Sequence, residues 1–128
     1  MPDSAAASYR SETIDLLTNR RSVRRYRDEP VPEAMIEAIL RAAFRAPTSS
    51  NIQSYSVVVV RDRAVLRRLA PVTGNQRHVA EVPVFLAFCA DLTRIDHALM
   101  RNGHSIAGNN METGLVASID AALVGMSA

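Results

Sequence analysis

The residues best equipped for chemistry are the arginines of residues 20–27, where five guanidinium groups occur within eight positions. Guanidinium groups bind phosphate through paired hydrogen bonds, and a neighbouring hydroxyl adds a further donor. Arg21, Ser22 and Arg24 therefore form a candidate phosphate site. One alternative is a solvated charged surface whose arginines form salt bridges with the acidic residues 28–29. A weaker alternative is a surface that binds nucleic acid.

Two polar loops provide further candidate ligand contacts. The segment 47–53 supplies three hydroxyl groups and two amides that suit a polar heterocycle or a ribityl-type polyol, although an ordinary turn has the same composition. In the segment 73–78, Gly74 permits an unusual backbone shape and Gln76 can reach a ligand. Here too an ordinary turn is the alternative.

The composition excludes several other mechanisms. All fifteen basic residues are Arg, which rules out Schiff-base lysine chemistry and a phosphate-loop lysine. The single cysteine, Cys89, excludes an intramolecular disulfide, and the spacing of the three histidines predicts no metal site. The net charge of +2 is too small to indicate nucleic-acid binding by itself, and no apolar run approaches the roughly 18 residues of a membrane span. Local chemistry alone thus predicts only a ligand that carries a phosphate. A cytoplasmic protein without a nucleic-acid or membrane partner is the default expectation.

The elements that must position these residues can be predicted from hydrophobic periodicity and end signals. The 128 residues suffice for one domain, with a flexible segment over residues 1–10. Pro32 is expected at the first position of a helix, and Pro71 is expected to end another. Both predicted strands have apolar runs without alternation, which indicates burial on both faces. The predicted helices cover residues 11–19, 32–46, 62–70 and 111–126, and the predicted strands cover residues 55–60 and 83–90.

The order and spacing of several segments resemble the flavin-dependent nitroreductase family, in particular its branch of NADPH-dependent nitroreductases and flavin reductases. These segments are residues 19–26, 28–32, 46–53, 73–80 and 85–91. The resemblance implies an α+β, nitroreductase-like FMN-binding fold with helices around a small sheet. Residues 11–128 would form the N-terminal portion of a single such domain. It also implies a homodimer that binds FMN at the subunit interface.

By motif position, the resemblance assigns FMN contacts to all three polar patches. The residues that match those holding the FMN phosphate and ribityl chain in the family are Arg20, Arg21, Ser22 and Arg24. The residues that match contacts to the flavin are Thr48, Ser49, Ser50, Asn51 and Gln76. In the family the hydroxyl loop usually reaches the flavin of the partner subunit.

The activity that the resemblance implies is hydride transfer from NAD(P)H through N5 of FMN to a nitroaromatic, a quinone or free flavin, in ping-pong order. No catalytic side chain is predicted, because the cofactor carries the chemistry. The alternative is a non-catalytic fragment that binds flavin or a partner subunit without turnover. This alternative is based on the last helix, which has an apolar face and no clear end, and on family sequences that continue further.

Overall fold

The computed structural model describes residues 9–108 and 110–128, in which six α-helices and a short 3-10 helix accompany one two-stranded sheet. This arrangement confirms the predicted α+β class. The flexible segment expected at residues 1–10 lies, except for its last two residues, outside the described part of the chain. In chain order the elements are α1 (Glu12–Thr18), α2 (Glu33–Ala43), the 3-10 helix (Ser49–Asn51), β1 (Tyr55–Val60), α3 (Arg63–Val72), α4 (Arg77–Glu81), β2 (Phe85–Ala90), α5 (Thr93–Arg101) and α6 (Met111–Met126).

Three helices begin at side-chain caps that the sequence supplies. Ser11, Asp62 and Asn110 each accept a hydrogen bond from the backbone N–H three residues further on, at 3.2, 3.0 and 3.1 Å. Such a cap satisfies one of the N–H groups that the first turn of a helix leaves without a partner. The starts of α1, α3 and α6 are therefore set locally.

The sheet is an antiparallel pair in which Tyr55 lies opposite Ala90 and Val60 opposite Phe85. The prediction that both strands are buried on both faces is wrong, since no residue of either strand is fully buried and Val58 is 49% exposed. The element that packs on the sheet is α6. A Cβ atom at Gly125 would lie 3.3 Å from the ring of Phe88, so the glycine allows α6 to approach β2 closely.

The buried core is built mainly around α6 and α3. The small side chains of α6 let it pack against the sheet and α2, whereas α3 packs against α4. No helix in the described part of the chain has both the length and the hydrophobicity to cross a bilayer. The buried apolar side chains are Ile36, Ala43, Leu66, Ala70, Val79, Val82, Ala117, Ala121 and Val124.

Two proline predictions need correction. Pro32 is the residue before α2 rather than its first helical residue, with ψ at 142°. Pro71 lies inside α3, which continues to Val72. A proline near the end of a helix removes a single intrahelical hydrogen bond, so the helix can finish its last turn around it.

Two helices, α4 and α5, were not predicted. The ordinary turn that is the alternative for residues 73–78 extends only to Gln76, and Arg77 then begins the single-turn helix α4. In α5 no residue is fully buried. The single turn of α4 is too short to show helical periodicity. In contrast, α5 is amphipathic, so its sequence did carry a helical signal that the prediction missed.

Candidate functional site

The arginine segment, residues 20–27, follows the end of α1 and contains neither helix nor strand. All eight of its residues are exposed. Within the described ranges, no carboxylate forms an ion pair with Arg20, Arg21 or Arg24. These guanidinium groups therefore remain available for an anion.

The salt bridges expected with the acidic residues 28–29 are few. Asp28 pairs instead with Arg63 of α3, at 2.8 Å, and Glu29 lies 3.9 Å from Arg27. Arg63 also donates to the backbone carbonyls of Glu81 and Val82, at 2.9 and 3.2 Å. Asp28 and Glu29 thus form their ion pairs with Arg63 and Arg27, rather than with Arg20, Arg21 or Arg24. Arg63 also links Asp28 to the end of α4.

The C-terminal end of the arginine segment is fixed by Tyr26. Its ring stacks on that of His78 in α4, with centroids 6.1 Å apart and an interplanar angle of 26°. Its hydroxyl donates to the carbonyl of Val23 at 2.8 Å. An aromatic pair with this geometry adds stabilisation beyond the burial of its area. The segment is therefore attached to the fold at this end.

Gln76 lies at the start of α4, beside the anchored tyrosine. Its Nε2 donates to the carbonyl of Thr73 at 2.7 Å, and its backbone N–H donates to the carbonyl of Ala70 at 3.0 Å. Gln76 and Tyr26 line one cleft of about 360 Å³. The structure therefore brings one predicted contact, Gln76, next to the end of the arginine segment.

The hydroxyl loop, residues 48–54, contains the other predicted contacts. Ser50, Asn51 and Gln53 have φ angles of 49°, 55° and 57°, in the left-handed region. Each such residue costs about 1–3 kcal/mol and persists only where its surroundings impose the conformation. The hydroxyl of Thr48 accepts from the N–H of Gln53 at 3.3 Å. Arg94 of α5 donates to the backbone and side-chain oxygens of Gln53 at 3.0 and 2.7 Å.

Asp120 of α6 holds the hydroxyl loop from inside the protein. Its side chain is 1% exposed, and its two carboxylate oxygens accept from the N–H groups of Ser49 at 3.0 Å and Ser54 at 3.3 Å. The sequence reasoning missed this residue and Arg94. The available signal was an acid within the mainly apolar second half of α6, because a buried carboxylate requires hydrogen-bond partners.

Asp91 fixes the start of α5 and thereby the position of Arg94. The hydroxyl of Ser56 on β1 donates to the Asp91 carboxylate, and the N–H of Thr93 donates to it at 2.9 Å. These hydrogen bonds, that of Ser56 first, lower the pKa of Asp91 from 3.8 to about 2. The carboxylate is therefore ionised at neutral pH and connects β1, β2 and α5.

The predicted residues thus fall into two groups on different supports. In the described part of the chain, no hydrogen bond or ion pair joins residues 20–24 to residues 48–51. The first group offers a hydroxyl and guanidinium groups without carboxylate partners in the described residues, which suit a phosphate. The second group offers uncharged donors and acceptors, which suit the polar remainder of a cofactor such as FMN. The donor set therefore fits the cofactor that the sequence suggested.

Comparison with known proteins supports this interpretation. Residues 17–123 match the model of the Nitroreductase family. The chain belongs to this family. It is 46% identical over 84 residues to the oxygen-insensitive NADPH nitroreductase of Salmonella typhimurium, an alignment that covers 66% of this chain and 35% of that protein. It is 36% identical over 115 residues to an FMN reductase (NADPH) of Bacillus subtilis, which covers 88% of this chain and 46% of the relative.

Solved nitroreductase-family structures share the fold. The NfrA1 nitroreductase from B. subtilis superposes with a TM-score of 0.85 at 35% identity, over 91% of this chain and 48% of that one. The NADPH:FMN oxidoreductase from Vibrio harveyi, complexed with NAD+, gives a TM-score of 0.81 at 28% identity, over 91% and 49%. The chain spans about half the length of these structures, and these comparisons confirm the predicted nitroreductase-like fold.

Proposed function

We propose that the chain acts as an NAD(P)H-dependent FMN oxidoreductase that passes hydride from NAD(P)H through FMN to a nitroaromatic, a quinone or free flavin. The observation that carries the proposal is the set of guanidinium groups on Arg20, Arg21 and Arg24, which face solvent without a carboxylate partner in the described residues. An unneutralised cluster of this kind attracts and binds an anionic group. The names of the relatives, an NADPH nitroreductase and an FMN reductase, support the same activity.

The protein residues would bind FMN according to their chemical type. The three guanidinium groups and the Ser22 hydroxyl would hold the phosphate and the ribityl chain, where the negative charge and the hydroxyl groups are. The hydroxyl loop and Gln76 would contact the uncharged flavin, since their side chains both donate and accept hydrogen bonds. Bound FMN supplies a centre that accepts hydride at N5. The chain's own part is to bind and orient, so no side chain is assigned as an acid or a base.

A homodimer would complete the site, because α6 has an apolar face without a partner in the described chain. An exposed apolar stripe of this length is typical of a subunit interface. Self-association through α6 would supply a second copy of the chain. The hydroxyl loop of that copy could then lie next to the arginine segment of the first copy, in which Arg20, Arg21 and Arg24 have no carboxylate partner among the described residues. The stripe comprises Met111, Leu115, Ile119, Leu123 and Met126.

The binding test is retention of FMN. The chain is incubated with FMN and gel-filtered, and flavin absorbance that travels with the protein supports the proposal. Arg21→Gln is expected to raise the Kd for FMN about tenfold to a hundredfold, since a charge-assisted hydrogen bond contributes about 1.5–3 kcal/mol. Arg68→Gln removes another exposed arginine, in α3, and should leave the Kd unchanged. Equal effects of the two substitutions on the Kd would refute the assignment of Arg21 to phosphate binding.

Turnover separates the oxidoreductase from the non-catalytic alternative. Under anaerobic conditions, NADPH should bleach the absorbance of FMN bound to the chain, and a nitroaromatic or quinone should restore it. Bound FMN that neither NADPH nor NADH reduces would favour a flavin-binding chain without turnover.

A further inference from the structure

We propose that Asp120 is a positioning residue, whose buried carboxylate sets the backbone of the hydroxyl loop in the conformation that presents Ser49, Ser50 and Asn51 to the flavin. This inference rests on the proposed function as far as flavin is concerned. The loop conformation itself is a property of this chain and can be tested separately.

The contacts of Asp120 close the loop at both ends. Oδ1 accepts from the N–H of Ser49, the first residue of the 3-10 helix, and Oδ2 accepts from the N–H of Ser54, just before β1. The residues with left-handed φ lie between these two anchor points. Both ends of the segment are thereby held to one rigid group on α6, and the strained residues cannot relax independently.

The chemical type of Asp120 indicates a role beyond packing. Its neighbours on the same helix face, Ala117, Ala121 and Val124, are buried and apolar, so an apolar side chain would suit this face as a packing element. A buried carboxylate is retained only where hydrogen bonds compensate its desolvation. Here the partners are two backbone N–H groups of the loop. The carboxylate and the loop conformation therefore depend on each other.

Asparagine is the most informative substitution because it preserves shape. Asp120→Asn keeps one acceptor oxygen and places an NH2 group where the second backbone N–H needs an acceptor. One end of the loop should then be released while α6 stays packed. The expected results are an increase of about tenfold in the Kd for FMN and faster amide exchange at Ser49 or Ser54.

The experiment combines FMN titration with site-resolved amide hydrogen exchange on the full chain. Ser118→Ala is the matched control, because it removes a side-chain hydrogen bond to Gly114 in the same helix, two residues from Asp120, without touching the loop. The control should show the exchange rates and the Kd of the unchanged chain. Exchange that accelerates only at the loop amides in Asp120→Asn supports the inference.

Two results would overturn it. The first is an Asp120→Asn chain with unchanged FMN affinity and unchanged exchange at both serine amides. The second is a uniform acceleration across α6 and the sheet, which would make Asp120 a residue of general stability. If the unchanged chain retains no FMN, the proposed function fails and the flavin role of Asp120 fails with it, whereas the exchange pattern still decides whether Asp120 holds the loop.

Discussion

Replacing Ile119 by Glu tests whether α6 mediates self-association. The apolar stripe on this helix comprises five side chains whose exposed fractions lie between 39% and 89%. Ile119 is at its middle and is 50% exposed. Because half of the side chain already faces solvent, a carboxylate can be placed there without disturbing the core of the subunit.

The expected loss of dimer stability in Ile119→Glu can be estimated from this exposed fraction. Complete burial of an isoleucine stabilises by about 1.5–3 kcal/mol, so the exposed half of Ile119 has about 1 kcal/mol still to gain. In a symmetric dimer the residue occurs twice, which doubles the loss on substitution to about 2 kcal/mol. Burial of two unpaired carboxylates then adds at least a similar amount. A total of about 4 kcal/mol corresponds to a roughly thousandfold weaker dimer.

Sedimentation velocity over a range of concentrations measures the dimer constant directly. Met35→Glu is the matched control, since Met35 on α2 is 54% exposed and lies outside the stripe. We expect Met35→Glu to associate like the unchanged chain and Ile119→Glu to sediment as a monomer with the same circular dichroism. Equal association of the two variants, or an unchanged chain that is monomeric at every concentration, would refute the reasoning.

Three further predictions concern stability. Arg63→Met should lower the free energy of unfolding in urea by about 1–2 kcal/mol, because it removes two hydrogen bonds from a partly exposed side chain to backbone carbonyls. Asp28→Asn should lower it by less than about 0.5 kcal/mol, because the ion pair between Asp28 and Arg63 is exposed. Equal losses in the two variants would contradict this prediction. Leu66→Ala, at a fully buried position, should cost about 2–5 kcal/mol and lower the urea midpoint accordingly. The pKa of Asp91, lowered to about 2, implies a stabilisation that is complete above about pH 4 and is lost as the pH falls towards 2. In Asp91→Asn the free energy of unfolding should therefore depend less on pH over this interval, and an unchanged pH profile would contradict the assignment.

The elements that the sequence predicted best are those whose signals are local. The cap at Ser11 and the run from Tyr55 to Val60 determined a helix start and both ends of a strand. Burial is different, because it depends on which other elements cover a segment. The sequence YSVVVV is equally compatible with cover on one face or on two, and in this chain α6 packs on its sheet.

The same difference between local signals and features that depend on the fold applies to the candidate site. Residue types and spacing singled out the arginine segment, because guanidinium chemistry can be recognised without knowing the fold. The support of the hydroxyl loop could not be recognised in this way, since Asp120 is 71 residues from Ser49 and 66 from Ser54. The acid in α6 indicates that hydrogen-bond partners exist, but only the folded structure shows that these partners are the backbone N–H groups of the hydroxyl loop.

The helix α6 therefore connects two parts of the proposed site. Its inner face holds the hydroxyl loop through Asp120, and its outer face carries the stripe to which the adjacent Ile119 belongs. If the loop of one copy meets the arginine segment of another, the same helix both orients the loop and brings the second copy. Ile119→Glu should then weaken FMN binding together with self-association, although it touches no proposed FMN contact, whereas Met35→Glu should leave self-association unchanged. A monomeric Ile119→Glu chain that binds FMN as tightly as the unchanged chain would separate the flavin site from the interface.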